Sequence, residues 1–331
     1  GFIFEGIEDS KRFFTPDYGS IIVEVDKNED VNILFKDLDH LLLGYTTEEK
    51  SITINETIIT LDDALKCWEK PLEEIFPIYG DQKENNASLL CTGNIVNNKK
   101  DYKKERTTSK IKIAKPRIFM PVFPGTNCEY DTAKLFKEAG GVVDCFVMKN
   151  ITPYDIEKSI ETMTAKINNS QIIMLPGGFS GGDEPDGSGK FIATAFRNPY
   201  IKEEVMKLIK NRDGLILGIC NGFQALIKLG LVPYGEIKDL TEESPTITYN
   251  TIGRHVSKIV LTKVVSTLSP WLAKVECGDM HSIAVSHGEG RLVASSNQVS
   301  ELFKNGQVAT QYVNFEGEPT LDSKFNPNGS V

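Results

Sequence analysis

Leu215-Ile216-Leu217-Gly218-Ile219-Cys220-Asn221-Gly222-Phe223-Gln224-Ala225-Leu226-Ile227 runs from an apolar stretch, through a thiol flanked by glycines, into a segment with helical character. The order is strand, sharp turn, helix. A residue at such a turn is lifted out of the sheet to the helix N-terminus, and Gly218 and Gly222 leave room for the tight backbone. The first helical turn offers unpaired N–H groups and a partial positive charge, which favour thiolate over thiol. The same N–H groups can hold the oxyanion of an acyl tetrahedral intermediate. Acyl transfer through Cys220 is therefore the leading chemistry. The competing reading is a small core hydrophobe, since free cysteine is among the most buried residue types.

Upstream of this run, strands and helices alternate. Residues 118–123, 142–148, 171–175 and 215–219 read as strands, and residues 129–139, 153–163 and 202–209 as helices. Short apolar strands separated by helices imply a doubly wound, mostly parallel α/β sheet covered on both faces. Ligands of such sheets lie at the carboxyl ends of the strands. The loops expected there are 124–127, 176–180 and the Cys220 turn, and each carries glycine.

The first part of the chain has a different pattern. Residues 19–25, 31–35 and 51–59 read as strands, and residues 61–75 as a helix that Pro77 stops. Residues 81–115 are polar, rich in Asn and Lys, and aperiodic, as in a linker. The expected organisation is an α+β segment over 1–80, a linker over 81–115 and the α/β domain over 116–331. The first segment shows no glycine-rich phosphate loop and no cluster of metal ligands.

Composition narrows the function classes. The 331 residues are 40% hydrophobic and 25% charged, ordinary for a globular protein. A net charge of −9 argues against nucleic acid, and the basic stretch 99–115 reads as a solvated linker. No stretch is apolar enough to span a bilayer and no signal peptide opens the chain, so a membrane is not expected as a partner. Six cysteines (67, 91, 128, 145, 220 and 277) form no CxxC pair, which points to a reducing, cytoplasmic compartment and away from a zinc site.

Leu175-Pro176-Gly177-Gly178-Phe179-Ser180 follows a buried strand, and a glycine pair there can aim a backbone N–H at a neighbouring strand end. If that neighbour carries Cys220, the N–H groups of Gly178 and Asn221 together form an oxyanion hole. Read alone, the segment is a plain glycine-rich turn. Together, Pro-Gly-Gly-Phe-Ser-Gly-Gly-Asp (176–183), Gly-Ile-Cys-Asn-Gly-Phe-Gln (218–224) and His-Gly-Glu-Gly-Arg (287–291) resemble the class I glutamine amidotransferase domain of phosphoribosylformylglycinamidine synthases. Pro-Gly-Thr-Asn-Cys (124–128), Tyr-Asn-Thr-Ile-Gly-Arg (249–254) and Asn-Pro-Asn-Gly-Ser (326–330) are similar to the same family. The resemblance covers about residues 115–331 and implies a flavodoxin-like fold. Residues 1–79 resemble, more loosely, the tail of the synthetase part in the large single-chain form.

The resemblance implies a glutamine-dependent carbon–nitrogen ligase of purine biosynthesis. Glutamine is hydrolysed through a Cys220 glutamyl thioester, and ammonia passes to synthetase domains of the same protein, where ATP and magnesium serve. No cofactor is implied for the glutaminase part itself. Asn221 and Gly178 would supply the oxyanion N–H groups, and Gln224 would help hold the site. Phe179, Ser180, Asp183, His287 and Glu289 are candidates to line the glutamine pocket, with residues 181–190 a loop over it and Asp183 facing the substrate ammonium. That loop has neither the EF-hand spacing nor the closing Lys-Ser/Thr of a phosphate loop.

A cysteine amidase needs a base, usually His oriented by a carboxylate. The family carries this pair in a His-Pro-Glu-like motif beyond Asn-Pro-Asn-Gly-Ser, so the resemblance implies that it falls outside the 331 residues and that these residues alone turn over glutamine poorly. Among the four histidines, His287 with Glu289 two residues on is the alternative dyad, and it also reads as a pocket-lining or structural residue. His255 and His281 read as structural, and His40 belongs to the first segment. Two other functions stay open: a stand-alone cysteine hydrolase of the same sheet topology, and an inactive domain that only binds glutamine or docks on a synthetase.

Overall fold

The structure, a computed structural model, describes residues 1–5, 15–16, 18–73, 113–180 and 189–330. The chain divides into two compact units, Gly1–Ile78 and Tyr79–Val331. Most of the expected linker, and the 181–188 part of the expected loop with Asp183, lie outside the described residues.

The first unit is a mixed α+β sheet. Its elements are β1 (Phe2–Phe4), α1 (Val31–Leu34), β2 (Gly44–Thr46), β3 (Ser51–Ile54), β4 (Thr57–Thr60) and α2 (Leu61–Glu73). The strand order is β2-β1-β3-β4, with β1 parallel to β3 and the other pairs antiparallel. Three expectations are corrected here. Residues 19–25 form no strand. Ile21 and Ile22 are largely exposed, and β propensity needs a pleated surface to pack against. Instead of a strand over 31–35, Val31–Leu34 form a short helix capped by Phe35, because the Asp30 carboxylate accepts the Asn32 N–H at 2.9 Å and starts a helical turn. Residues 51–59 form two strands rather than one. Asn55, at φ 53°, makes a two-residue hairpin turn that pairs Ile54 with Thr57. The helix α2 begins where expected and continues through Pro71.

The second unit holds the parallel sheet. Its first part runs β5 (Arg117–Val122), α3 (Glu129–Glu138), β6 (Val142–Val147), α4 (Pro153–Asn168), β7 (Ile172–Leu175), α5 (Lys190–Phe196), α6 (Pro199–Asn211), β8 (Leu215–Gly218), α7 (Asn221–Leu229) and α8 (Leu231–Tyr234). The strand order is β6-β5-β7-β8, and all three pairings are parallel. Alternate residues of each strand feed opposite faces. Phe119, Ile173 and Leu175 pack with Met163 and Ile167 of α4, Ile201 and Val205 of α6, and Ala225 and Leu226 of α7. Ile118, Met120 and Met174 pack on the other face against Ala133 and Phe136 of α3. Helices on both faces explain why these strands read as continuous apolar runs, and the doubly wound expectation holds.

The chain winds outward from β5 to β6, then crosses back to β7 and β8. The loops after β5 and β7 therefore leave at a topological switch point, where this architecture places its ligands.

The second part adds β9 (Thr246–Thr248), β10 (Val256–Val264), β11 (Met280–His287), β12 (Arg291–Val293), α9 (Ser296–Lys304) and β13 (Thr310–Tyr312). An antiparallel sheet forms in the order β11-β10-β13, and β12 pairs with β9. This part carries the segments 249–254, 287–291 and 326–330.

Candidate active site

Cys220 is the N-cap of α7 and has φ 51° and ψ −112°. A positive φ is rare for a residue with a side chain, and such strain persists only where the surroundings impose it. Here they do. The Ile219 N–H still pairs with Leu175 O at 3.1 Å, extending the sheet, while the Gln224 N–H already bonds Cys220 O at 3.0 Å, starting the helix. Between those two anchors the chain must reverse, and the thiol is turned outward and exposed. Gly222 is required by packing: a Cβ there would stand 2.0 Å from Leu175 O. The Asn221 N–H belongs to the first turn of α7 and has no acceptor inside the helix.

The β7 loop lies alongside. Thr126 and Gly178 form an isolated antiparallel bridge, closed by Phe179 N–H to Gly125 O at 2.7 Å and Asn127 N–H to Gly177 O at 3.4 Å. Both bonds come from the residues flanking the pair. The N–H of Gly178 itself therefore points away from Thr126, toward the side where β8 delivers Cys220. Gly178 has φ 141°, and a Cβ would fall 2.5 Å from Gly125 O. Gly177 brings the loops closer still: its Cβ position is 3.3 Å from Cys128 Sγ and 3.4 Å from Cys220 Cβ. The loop that carries Gly178 and the elbow that carries Cys220 thus lie side by side, with the thiol exposed.

A chain of buried amides fixes this arrangement. The Ser180 N–H donates to Asn221 Oδ1 at 3.2 Å, Asn221 Nδ2 donates to Gln224 Oε1 at 3.1 Å, and Gln224 Nε2 donates to the Glu289 carbonyl at 2.9 Å. Gln224 is thus engaged at both ends of its amide, and Glu289 enters the network through its backbone. Phe179 is half-exposed at the rim, and the buried Ser180 hydroxyl has no hydrogen-bond partner among the described residues.

His287 ends β11 and faces a second set of amides. Its Nδ1 is 3.1 Å from Asn250 Oδ1, and its Nε2 is 3.5 Å from Asn328 Nδ2. An amide oxygen only accepts, so Nδ1 carries the proton and Nε2 is left as the acceptor. Burial pushes the imidazole below its ordinary pKa, a backbone hydrogen bond opposes this, and His255 adds to the lowering. Asn250 is saturated. Its Nδ2 donates to the carbonyls of Arg254 and His287, at 2.9 and 2.8 Å, and its Oδ1 also accepts the Gly290 N–H at 3.2 Å. Asn328 Nδ2 donates to the Tyr312 hydroxyl at 2.9 Å, and burial raises the pKa of that phenol. Asn250, Asn328 and Tyr312 were not singled out from the sequence, although Asn250 lies in the segment 249–254 and Asn328 in 326–330. His255 bonds Ser286 at 2.9 Å, and His40 sits in the first unit beside Leu38 O.

Fold and site together define a class: an α/β protein that presents a thiol on a strand-to-helix elbow at the carboxyl edge of a parallel sheet. The model of the CobB/CobQ-like glutamine amidotransferase domain matches residues 115–331, and the chain belongs to that family. Its relatives include the phosphoribosylformylglycinamidine synthase subunit PurQ of Symbiobacterium thermophilum. That protein is 34% identical over 218 residues, covering 65% of this chain and 78% of the relative. PurQ of Methanococcus maripaludis is 31% identical over 216 residues, covering 65% and 74%. A solved structure of PurLQS from Thermotoga maritima matches at 28% identity and TM-score 0.43, over 60% of this chain and 76% of that one.

Proposed function

We propose that the chain is the glutamine-hydrolysing, ammonia-producing part of a phosphoribosylformylglycinamidine synthase, acting in purine biosynthesis. The observation that carries the reading is Cys220, strained and exposed at the N-cap of α7. The Cys220 thiolate attacks the side-chain carboxamide carbon of glutamine, and the carbonyl electrons move onto oxygen. The Gly178 and Asn221 N–H groups stabilise that oxyanion, each worth about 10²–10³ in rate. Collapse breaks the C–N bond, the departing nitrogen takes up the proton that the Cys220 thiol gave up and leaves as ammonia, and a glutamyl thioester remains on Cys220. Water then hydrolyses it to glutamate. Ammonia passes to a synthetase part, the partner of this domain, where ATP and magnesium serve to activate the acceptor amide. The glutaminase part needs no cofactor for these steps.

His287 has a structural part in this reading, since amide groups stand at both ring nitrogens. The general base is then another group. The test is covalent labelling of the reduced chain by a diazo-ketone analogue of glutamine, read by peptide mass. We expect Cys220 to be modified well before the other cysteines, and glutamine to compete. Even labelling over all cysteines, or labelling unchanged in Cys220→Ser, would remove the basis for the proposal.

A further inference from the structure

Cys128 stands close to Cys220 without a part in the hydrolysis. It is the N-cap of α3, yet its side chain makes no capping bond, and its Sγ is held by the neighbouring Asn127 Oδ1 at 3.1 Å. It reaches Cys220 across the β7 loop, where Gly177 has no side chain to separate them. One point, the Cβ position of Gly177, lies 3.3 Å from Cys128 Sγ and 3.4 Å from Cys220 Cβ. Any other residue at 177 would put carbon between the Cys128 sulfur and the Cys220 side chain. Both are exposed, so a small solute reaches either. The other described cysteines sit elsewhere: Cys145 on β6 beside Met120, Cys67 in the first unit, and Cys277 in the turn between β10 and β11.

We propose that Cys128 is the resolving thiol of Cys220: under hydrogen peroxide the pair closes into a reversible disulfide that blocks the site and spares the nucleophile from irreversible oxidation. The inference rests on the reading of Cys220 as the reactive thiolate. That thiolate attacks one peroxide oxygen. The O–O bond breaks, hydroxide leaves and takes a proton to become water, and the Cys220 sulfur is oxidised to sulfenic acid. Cys128 then attacks that sulfur. The S–S bond forms, the S–O bond breaks, and the departing hydroxide combines with the Cys128 proton as a second water. Two thiols and one peroxide give one disulfide and two waters.

The order follows from the surroundings. Cys220 lies at the positive end of α7, whereas partial burial, then Glu129 and Asp131, push the Cys128 thiol above its usual pKa. Cys220 oxidises first, and closure by Cys128 speeds up as pH rises and that thiol ionises.

The test treats the reduced full chain with peroxide, blocks free thiols and maps peptides without reduction. We expect a peptide pair joined through Cys128 and Cys220, a mass loss of two hydrogens, and loss of diazo-ketone labelling that dithiothreitol restores. In Cys128→Ser, Cys220 should gain two oxygens as sulfinic acid, and reductant should not restore labelling. Labelling of the untreated variant at the wild-type rate shows that its site is intact. Sulfinic acid forming equally fast in both proteins, or Cys220 joined to a different cysteine, would overturn the proposal. Failure of Cys220 to label in the untreated wild type would instead sink the underlying reading.

Discussion

Cys220 owes its exposure to a backbone conformation that an L-residue resists, at a cost of about 1–3 kcal/mol. Glycine tolerates φ 51° and ψ −112° without a Cβ clash. Cys220→Gly should therefore melt at a higher temperature than Cys220→Ala, although both lack the thiol. Equal melting temperatures would show that the elbow is unstrained. At Gly178 the same reasoning runs in reverse. A valine there would carry its Cβ 2.5 Å from Gly125 O at φ 141°, so the loop must move and its N–H must swing off target. Glutamate release should fall about 10²–10³-fold while labelling of surface cysteines stays normal. Unimpaired release in Gly178→Val would remove that N–H from the mechanism.

Among the elements, legibility followed burial. The central strands β5 and β7 were visible because they are covered on both faces, and α3, α4 and α6 because their apolar periodicity faces the sheet; α5 is the exception, buried through Ile192, Ala193 and Phe196 yet not read, because it follows directly on the glycine-rich stretch 181–190. In the first unit, residues 19–25 carry an equally apolar pattern but are exposed, and Asp30 and Asn55 override the β propensity around them. Those two residues were legible as cap and turn signals; the missing cover over 19–25 was not. For the site, the Gly-x-Cys-x-Gly elbow could be read locally. The amide partners of His287 could not, since Asn250 and Asn328 reach it from 37 and 41 residues away and no periodicity joins them. Within the elbow, Gly222→Ala tests the fit of α7 on β7. Alanine normally favours a helix, but here its Cβ would meet Leu175 O at 2.0 Å. The urea midpoint should drop by the equivalent of about 1–3 kcal/mol with an unchanged slope. A raised midpoint would mean that the contact relaxes freely.

For the molecule as a whole, His287 couples folding to pH. Its folded pKa lies below the ordinary value of 6.5, chiefly through burial. As pH falls through that value, the unfolded chain takes up a proton that the native imidazole still refuses, so the unfolded state gains and stability declines. The contribution is complete above the ordinary histidine range and fades toward the lowered folded pKa. Melting temperatures between about pH 7.5 and 5.5 should fall more steeply for the wild type than for His287→Gln, whose side chain does not titrate. Parallel slopes would show that the amide cage leaves the histidine proton affinity untouched.

The buried amide of Asn221 has a consequence for chemical ageing. Asn-Gly is the dipeptide most prone to lose ammonia from its own side chain, through attack of the following backbone nitrogen on the amide carbon. At Asn221-Gly222 that nitrogen is committed to Ile219 O at 2.9 Å, and the side chain is pinned between Ser180 and Gln224. The attack geometry is closed off while the fold holds. Asn305-Gly306 also has its backbone nitrogen bonded, to Phe303 O at 2.9 Å, but Asn305 is exposed just past the end of α9, and among the described residues its side-chain amide is held by Gln307 alone, at 3.4 Å. On prolonged storage at mildly alkaline pH, the one-dalton gain should accumulate at Asn305 first. At Asn221 it should appear only when Gln224 is replaced and the clamp on its side chain is loosened.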